Sequence, residues 1–198
     1  MLKRYGLIGS LKLFISLIYT KIFFNSARII RLPFDIRNRH LISLGKGLTT
    51  GYGCRIEALP LSKTDKIVIQ FGNDVQINDY VHITAMESVT IGNNVLIASK
   101  VYISDCSHGS YAGNQYDSEP DTAPSLRPLY SKSVSIEDNV WIGEFVSILP
   151  GVTIGKGSII GSMSVVTKPI PAYSIAVGAP AKVIKVFNFS NQRWEKHI

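Results

Sequence analysis

The sequence predicts an all-β fold: a parallel β-helix of hexapeptide units, with a hydrophobic helical segment before it and a short tail after it. Three observations carry this reading. Aliphatic residues recur every six positions, at Ile91, Ile97 and Ile103 and again at Ile136, Ile142, Ile148, Ile154, Ile160 and Val166. Small or β-branched residues sit four places on, at Val95, Val101, Val140, Val146, Val152, Ser158 and Ser164. Gly or Ala often follows the aliphatic residue, as in Ile91-Gly92, Ile97-Ala98, Ile142-Gly143 and Ile154-Gly155. A short fixed period marks a solenoid. An ordinary strand alternates with period two and resets at each turn. It would not hold one spacing from Ile136 to Val166.

Each unit reads as a short strand and a corner, and three units make one coil. The aliphatic residue points at the axis, where full burial is worth roughly 1.5–3 kcal/mol per side chain. Glycine at the corner is expected to supply dihedrals that a Cβ would oppose.

Residues 1–40 read as a basic, hydrophobic, helical segment. Leu7, Leu11, Phe14, Leu17, Ile18 and Ile22 recur at helical spacing, and Pro33 is expected to close the helix. Lys12 and Lys21 interrupt the apolar run. A cleavable leader ending near Asn25-Ser26-Ala27 is the lesser reading of this segment. Residues 41–186 read as the β-helix. Its first coil uses Leu44, Thr50 and Ile56, followed by a break at Leu59–Lys66. Its next uses Phe71, Ile77 and Ile83, and Val89-Thr90 reads as a two-residue insertion. A long loop interrupts the repeat at 109–132, anchored by Pro120, Pro124 and Pro128. Residues 187–198 read as a tail, with Trp194 beginning a short helix.

Composition narrows the function. The two cysteines, Cys54 and Cys106, are too few for a disulfide framework. The net charge of +7 lies in residues 1–40, which hold eight basic residues and one acidic, while the remainder is neutral. A nucleic-acid reader spreads basic residues over a groove-fitting surface, so no nucleic-acid partner is expected. The same basic, apolar segment fits an anionic membrane surface, hence a cytoplasmic protein peripheral to the inner membrane. Packing on the flank of the β-helix accounts for its apolar residues equally well. Only His82 and His108 lie in the repeat, which does not furnish a three-histidine zinc site, so no metal is expected.

His108 is the candidate catalytic residue. It stands in Ser104-Asp105-Cys106-Ser107-His108-Gly109, where the repeat opens into the long loop. Imidazole takes a proton near neutral pH. Asp105 is either an orienting partner or a turn residue. Asn78, Asp79 and His82 lie in Ile77-Asn78-Asp79-Tyr80-Val81-His82, with side chains suited to a sugar hydroxyl or to a corner. Lys168, Lys182 and Lys185 follow the last units and offer point charges to phosphates.

These motifs resemble the hexapeptide-repeat acetyltransferases of the galactoside, maltose and xenobiotic group. The matching stretches are Ile91-Gly-Asn-Asn-Val-Leu-Ile-Ala, His108-Gly109 before a long loop, and Val140-Trp-Ile-Gly. They continue through Ile148-Leu-Pro-Gly-Val-Thr-Ile-Gly, Ser164-Val-Val-Thr-Lys-Pro-Ile-Pro and Gly178-Ala-Pro-Ala-Lys. The start, the 77–82 motif and Arg193-Trp194-Glu195 are similar to the bacterial lipopolysaccharide O-antigen O-acetyltransferases. The resemblance implies a left-handed coil, a homotrimer with sites between neighbours, and acetyl-CoA as co-substrate. It implies His108 as the base and Asn78 as acceptor-binding. It also implies that Trp141, Glu144, Ser162, Thr167, Lys168, Lys182 and Lys185 hold the coenzyme. Gly109, where galactoside enzymes often have Pro, implies a different acceptor pocket. The expected activity is O-acetyl transfer to a sugar hydroxyl in O-antigen biosynthesis. Amino-sugar, serine and xenobiotic acceptors are the alternatives, and a non-catalytic scaffold is the rival outside catalysis.

Overall fold

A computed structural model describes residues 2–197. Its core is built from three sheets that the chain visits in rotation. Sheet I has five parallel strands, Ile42–Ser43, Ile69–Phe71, Val89–Ile91, Val134–Ile136 and Thr153–Ile154. Sheet II runs in parallel through Gln76–Ile77, Leu96–Ile97, Trp141–Ile142, Ile159–Ile160 and Ser174–Gly178. Sheet III comprises Phe34–Arg37, Cys54–Ala58, His82–Ala85, Tyr102–Ser104, Ser147–Ile148 and Val165–Val166.

The register follows the six-residue period. Ile91 pairs with Phe71 and Ile136, Ile97 with Ile77 and Ile142, and Ile103 with Ile83 and Ile148. All are essentially fully buried. The small residue four places on is the second inward residue of the next strand, two before its aliphatic partner. Val95, Val101, Val140, Val146 and Val152 are accordingly buried in the same column.

The corners repeat as regularly. Left-handed backbone falls on Asp74, Asn94 and Asn139 between sheets I and II, and on Tyr80, Lys100, Phe145 and Met163 between sheets II and III. Glycine carries the same dihedral, as expected, at the corner positions Gly47, Gly53, Gly151 and Gly157, while the glycines that directly follow the aliphatic residue serve closeness. A Cβ on Gly92 would stand 2.7 Å from the Asp138 backbone nitrogen, and one on Gly143 would stand 2.6 Å from that of Ser162. Stacked coils touch backbone to backbone there.

Three expectations change. Helix α1 spans Leu2–Phe23 and ends well before Pro33. The chain then joins the coil: Ile29 bridges Thr49, and Phe34–Arg37 pairs in parallel with Cys54–Ala58. Ala27, Ile29 and Ile30 are buried, so core burial outweighs the helical pattern beyond Phe24. Second, Val89 is in register with Ile69 and Val134. The extra residues lie in the turn at Met86–Ser88 instead. Third, the tail is a pair of antiparallel strands, Ala181–Asn188 and Arg193–Lys196, added to sheet II. Trp194 packs edge-on against Phe187 with centroids 5.3 Å apart, so cross-strand aromatic pairing replaces the expected helix.

Serine replaces valine where the coil ends. Ser158 Oγ donates to the Pro171 carbonyl at 2.8 Å and accepts the Ser174 N–H at 3.1 Å. Ser164 Oγ donates to the Gly161 carbonyl and accepts the Gly178 N–H. The two hydroxyls thus tie the last turn of the chain to the coil beneath it. Ser158→Ala leaves the Ser174 N–H buried and unpaired. Its stability in urea should fall by about 1–3 kcal/mol. An unchanged midpoint would contradict this role.

Candidate active site

The long loop leaves sheet III after Ser104 and is clamped at its base. The Asp105 carboxylate is fully buried and accepts the N–H groups of Met86, Glu87 and Ser88 at 2.7–2.8 Å. It therefore pins the turn of the preceding coil and does not orient His108. Its own carbonyl accepts the N–H of Lys132, where the chain returns. Between these points Cys106–His108 pairs antiparallel with Leu129–Ser131, placing His108 opposite Leu129.

Beyond this base the loop is braced. Tyr111 donates its hydroxyl proton to the His108 carbonyl at 2.6 Å, and the Gly109 N–H donates to the Pro128 carbonyl at 2.9 Å. Arg127 donates to Tyr111 Oη and to the carbonyls of Pro120 and Thr122. The backbone of His108 is thus fixed while its imidazole is exposed. Gly109 has φ of 104°, and a Cβ there would stand 2.6 Å from Tyr111 Oη. The tyrosine brace requires glycine at this position. Cys106 lies two residues away, and burial pushes its thiol up. A protonated thiol is a poor nucleophile.

The expected acceptor residues divide. Asn78 is exposed at the corner between sheets II and III. Asp79, beside it, accepts the Tyr52 N–H at 2.8 Å and so ties two coils together. His82 points outward from sheet III, 5.4 Å from the Tyr102 ring between centroids. Its Nε2 lies 2.9 Å from Glu57 Oε2 and 3.3 Å from Arg55 Nε. One nitrogen cannot both donate to the carboxylate and accept from the guanidinium. The shorter contact takes the proton, since Arg55 also reaches Glu57 at 2.8 Å.

Glu57 is the group that sequence reasoning missed. Its side chain is 3 % exposed, and Arg37 Nη1 lies against its other oxygen. Burial pushes its carboxyl up, but the hydrogen bonds from His82 and Arg55 and the charges of Arg55 and Arg37 hold it below the ordinary range. The strands pair Arg55 with His82 and His82 with Tyr102. These separations are 27 and 20 residues, so no constant coil length in the sequence reveals the cluster.

The expected coenzyme residues lie on two edges. Trp141 is half-exposed on the outside of sheet II. Pairing carries its row through Ile159 and Ile175 to Lys185. Lys182 lies opposite Val177 in the same hairpin. Glu144 and Ser162 stack at the corner between sheets II and III, where the Glu144 N–H donates to Ser162 Oγ at 3.2 Å. Thr167 and Lys168 are exposed at the other edge of sheet III, on the corner that His108 occupies two coils earlier. A single chain therefore separates His108 from Trp141, Glu144, Ser162, Lys182 and Lys185. A groove of about 440 Å³ on sheet I, lined by Thr90, Asn93, Glu137 and Lys156, includes none of these residues. Among the described residues no three His, Cys, Asp or Glu side chains gather as a metal site.

The bacterial transferase hexapeptide model (six repeats) matches residues 133–168. The Escherichia coli K12 protein provisionally named lipopolysaccharide biosynthesis O-acetyl transferase WbbJ is 45% identical over 194 residues, covering 98% of this chain and 96% of its own. The chain belongs to the hexapeptide-repeat acetyltransferases. Galactoside O-acetyltransferase of the same organism is 40% identical over 156 residues, covering 79% of this chain and 72% of that one. Among solved structures, a maltose O-acetyltransferase from Clostridium difficile 630 superimposes with a TM-score of 0.61 at 34% identity, covering 76% of this chain and 72% of the other. A galactoside acetyltransferase in complex with coenzyme A gives 0.52 at 31% identity, covering 80% and 68%. Family membership makes this chain an acetyltransferase, and the braced loop histidine is a feature of its own fold.

The Glu57 cluster makes stability depend on pH with a defined sign. A carboxyl held below its ordinary value of 4.5 stabilises the fold fully above that value. The contribution is lost as pH falls through the lowered value. Glu57→Gln should therefore be less stable than wild type at pH 7, with the gap closing below about pH 4.5. A gap that is constant with pH in chemical denaturation would show that packing, not charge, is at work.

Proposed function

We propose that this acetyltransferase moves the acetyl group of acetyl-CoA to a sugar hydroxyl during assembly of a lipopolysaccharide O-antigen, with His108 as general base. The observation that carries the proposal is the exposed imidazole on a backbone held by Tyr111, Leu129 and Pro128. Fixed backbone with free imidazole suits a group that must meet an incoming hydroxyl. The near full-length similarity to an O-acetyl transferase named for lipopolysaccharide biosynthesis supports the acceptor class.

His108 takes the hydroxyl proton as the acceptor oxygen attacks the thioester carbonyl. The C–S bond then breaks, the sugar ester forms, and the coenzyme leaves as its thiol after taking up a proton. No acyl-enzyme is needed, and holding both substrates in one cleft supplies the proximity term. Acetyl-CoA, when bound, supplies the activated acyl group. Trp141 offers a flat apolar surface for it, Glu144 and Ser162 a corner, and Thr167, Lys168, Lys182 and Lys185 hydrogen bonds and positive charge. Asn78 meets the sugar, with Asp79 shaping the corner that presents it, and His82 offers only the ring nitrogen that Glu57 does not hold.

We assign a left-handed winding to the coils and a homotrimer to the assembly, both on family grounds. The trimer is supported by the separation of His108 from the Trp141 row across sheet III. It is supported too by Tyr80, Phe145 and Met163, which stand exposed along one edge. A neighbour that brings this edge against His108 completes one cleft per interface, and cyclic symmetry closes the ring. We place the enzyme in the cytoplasm, where acetyl-CoA is available, in contact with the inner membrane.

His108→Ala should fold normally and lose about 10²–10⁴-fold in kcat. Mass spectrometry of surface glycan from cells carrying only this variant should show one acetyl group missing. Near wild-type turnover with saturating acetyl-CoA would overturn the assignment. Transfer to an amino sugar in place of any hydroxyl would overturn the acceptor class.

Lys182→Gln and Lys185→Gln should raise KM for acetyl-CoA several-fold and leave KM for the acceptor nearly unchanged. Added salt should mimic them, because both lysines are exposed. A change confined to the acceptor constant would move the coenzyme elsewhere.

A further inference from the structure

Helix α1 (Leu2–Phe23) is turned inside out relative to a surface helix of a soluble protein. Its buried face carries hydroxyls. Ser10, Ser16 and Thr20 are 6%, 1% and 1% exposed. Its outer face carries Leu7, Leu11, Phe14, Ile15, Ile18 and Ile22, of which Leu7 is 77% and Ile22 67% exposed. A helix packing on a soluble core does the reverse.

The hydroxyls fasten the helix to the coil. Ser16 Oγ donates to the Lys12 carbonyl at 2.9 Å and accepts the Leu32 N–H at 3.2 Å. Thr20 Oγ1 donates to the Ser16 carbonyl at 2.6 Å and accepts the Ile30 N–H at 2.8 Å. Those two N–H groups belong to the first turn of the coil, so the hydroxyls give them partners. The helix cannot swing away without orphaning them.

We propose that α1 lies in one leaflet of an anionic membrane, with its apolar outer face in the acyl region and the coil outside. This extends the membrane contact in the reading above from a surface encounter to a fixed, one-sided insertion. Charge favours the anionic leaflet. Residues 1–34 contain Lys3, Arg4, Lys12, Lys21, Arg28 and Arg31 and no acidic residue. At the helical angle of 100° per residue, Lys12 and Lys21 fall on opposite flanks of the apolar face, where headgroups would meet them. Length alone allows a span, because Lys3–Phe23 is long and apolar enough. Three features oppose it. Gly6 breaks the helix with φ 65° and ψ −175°, Lys12 interrupts the apolar run, and the hydroxyl face is committed to protein. A spanning helix would have to expose that face and its freed strand to lipid. The groove between α1 and the coil, lined by Ile8, Lys12, Ile15, Pro33, Tyr52 and Tyr80, opens beside the corner that carries Asn78. The insertion thus holds the acceptor corner near the membrane surface.

Full-length protein would be floated with vesicles of phosphatidylcholine alone or with one-third phosphatidylglycerol. Nitroxide labels would be placed at Leu11→Cys, Phe14→Cys and Ile18→Cys in a Cys106→Ser background. Binding should require phosphatidylglycerol and weaken with salt. The three labels should sit at one shallow depth, about 5–10 Å below the headgroups. Phe14→Glu with Ile18→Glu should cut vesicle binding at least tenfold while thiol release from acetyl-CoA with a soluble glycan acceptor persists. Depths that change progressively from one leaflet to the other would overturn the proposal in favour of a span. Absent binding at low salt would overturn it outright. Labels shielded without vesicles, in an assembly that the Glu variants dissociate, would assign the face to a second copy. Wild-type protein that transfers acetyl but does not bind vesicles would sink this proposal alone, whereas wild-type protein that binds them but transfers nothing would sink the assigned activity alone.

Discussion

The width of the coil's axis governs the molecule. Each circuit must deliver inward side chains from three sheets at the height set by the backbone ladder, so a strand has room for only two. That is why Ile97 lies in register with Ile77 and Ile142, and why the residue two before each is Val or smaller. A one-residue slip would turn every inward side chain outward. Insertions are therefore tolerated only at corners, where extra chain leaves without shifting the rungs.

The long loop is the largest such insertion and shows how the constraint leaves room for a candidate site. Val134 resumes in register with Val89 although the loop separates their coils. Asp105 makes this workable: a fully buried carboxylate satisfies three N–H groups of the Met86–Ser88 turn, which has no ladder partner where the loop departs. Its role is structural, and the chain can then spend the loop on presenting His108. The arginine and tyrosine inside the loop keep the backbone beneath the imidazole from drifting. The prolines alone would not do this.

Sheet III carries the polar chemistry on its outer face, and its two edges carry different parts of the expected site. His108 and Lys168 lie along one edge, and Glu144 and Ser162 along the other. Between them Glu57 gathers Arg37, Arg55 and His82. A buried carboxylate among two guanidiniums and an imidazole fixes three side chains at once, because moving any one leaves charge less compensated. This explains why His82, offered by sequence as a free acceptor ligand, has its proton engaged within the protein.

The repeat, the rotation through three sheets, the position of the loop and the candidacy of His108 are all legible in the linear string. All of these depend on periodicity or on one residue beside a break in it. Periodicity is local, so it survives in a linear string. What it could not determine was which coils are unequal. The separations of 27 and 20 residues between Arg55, His82 and Tyr102 hide a row that is continuous in space. It also misread the chain ends, since Ile29 became a bridge and Phe34–Arg37 a strand where the open end of the core offered burial and ladder partners. The tail became a hairpin because the last strand of sheet II left an edge to pair. Which face of α1 is buried depends on contacts with a distant part of the chain. Serine and threonine are poor predictors of a buried face until the unpaired N–H groups of Ile30 and Leu32 are seen beside them. Those partners belong to another part of the chain, and no helical pattern contains them.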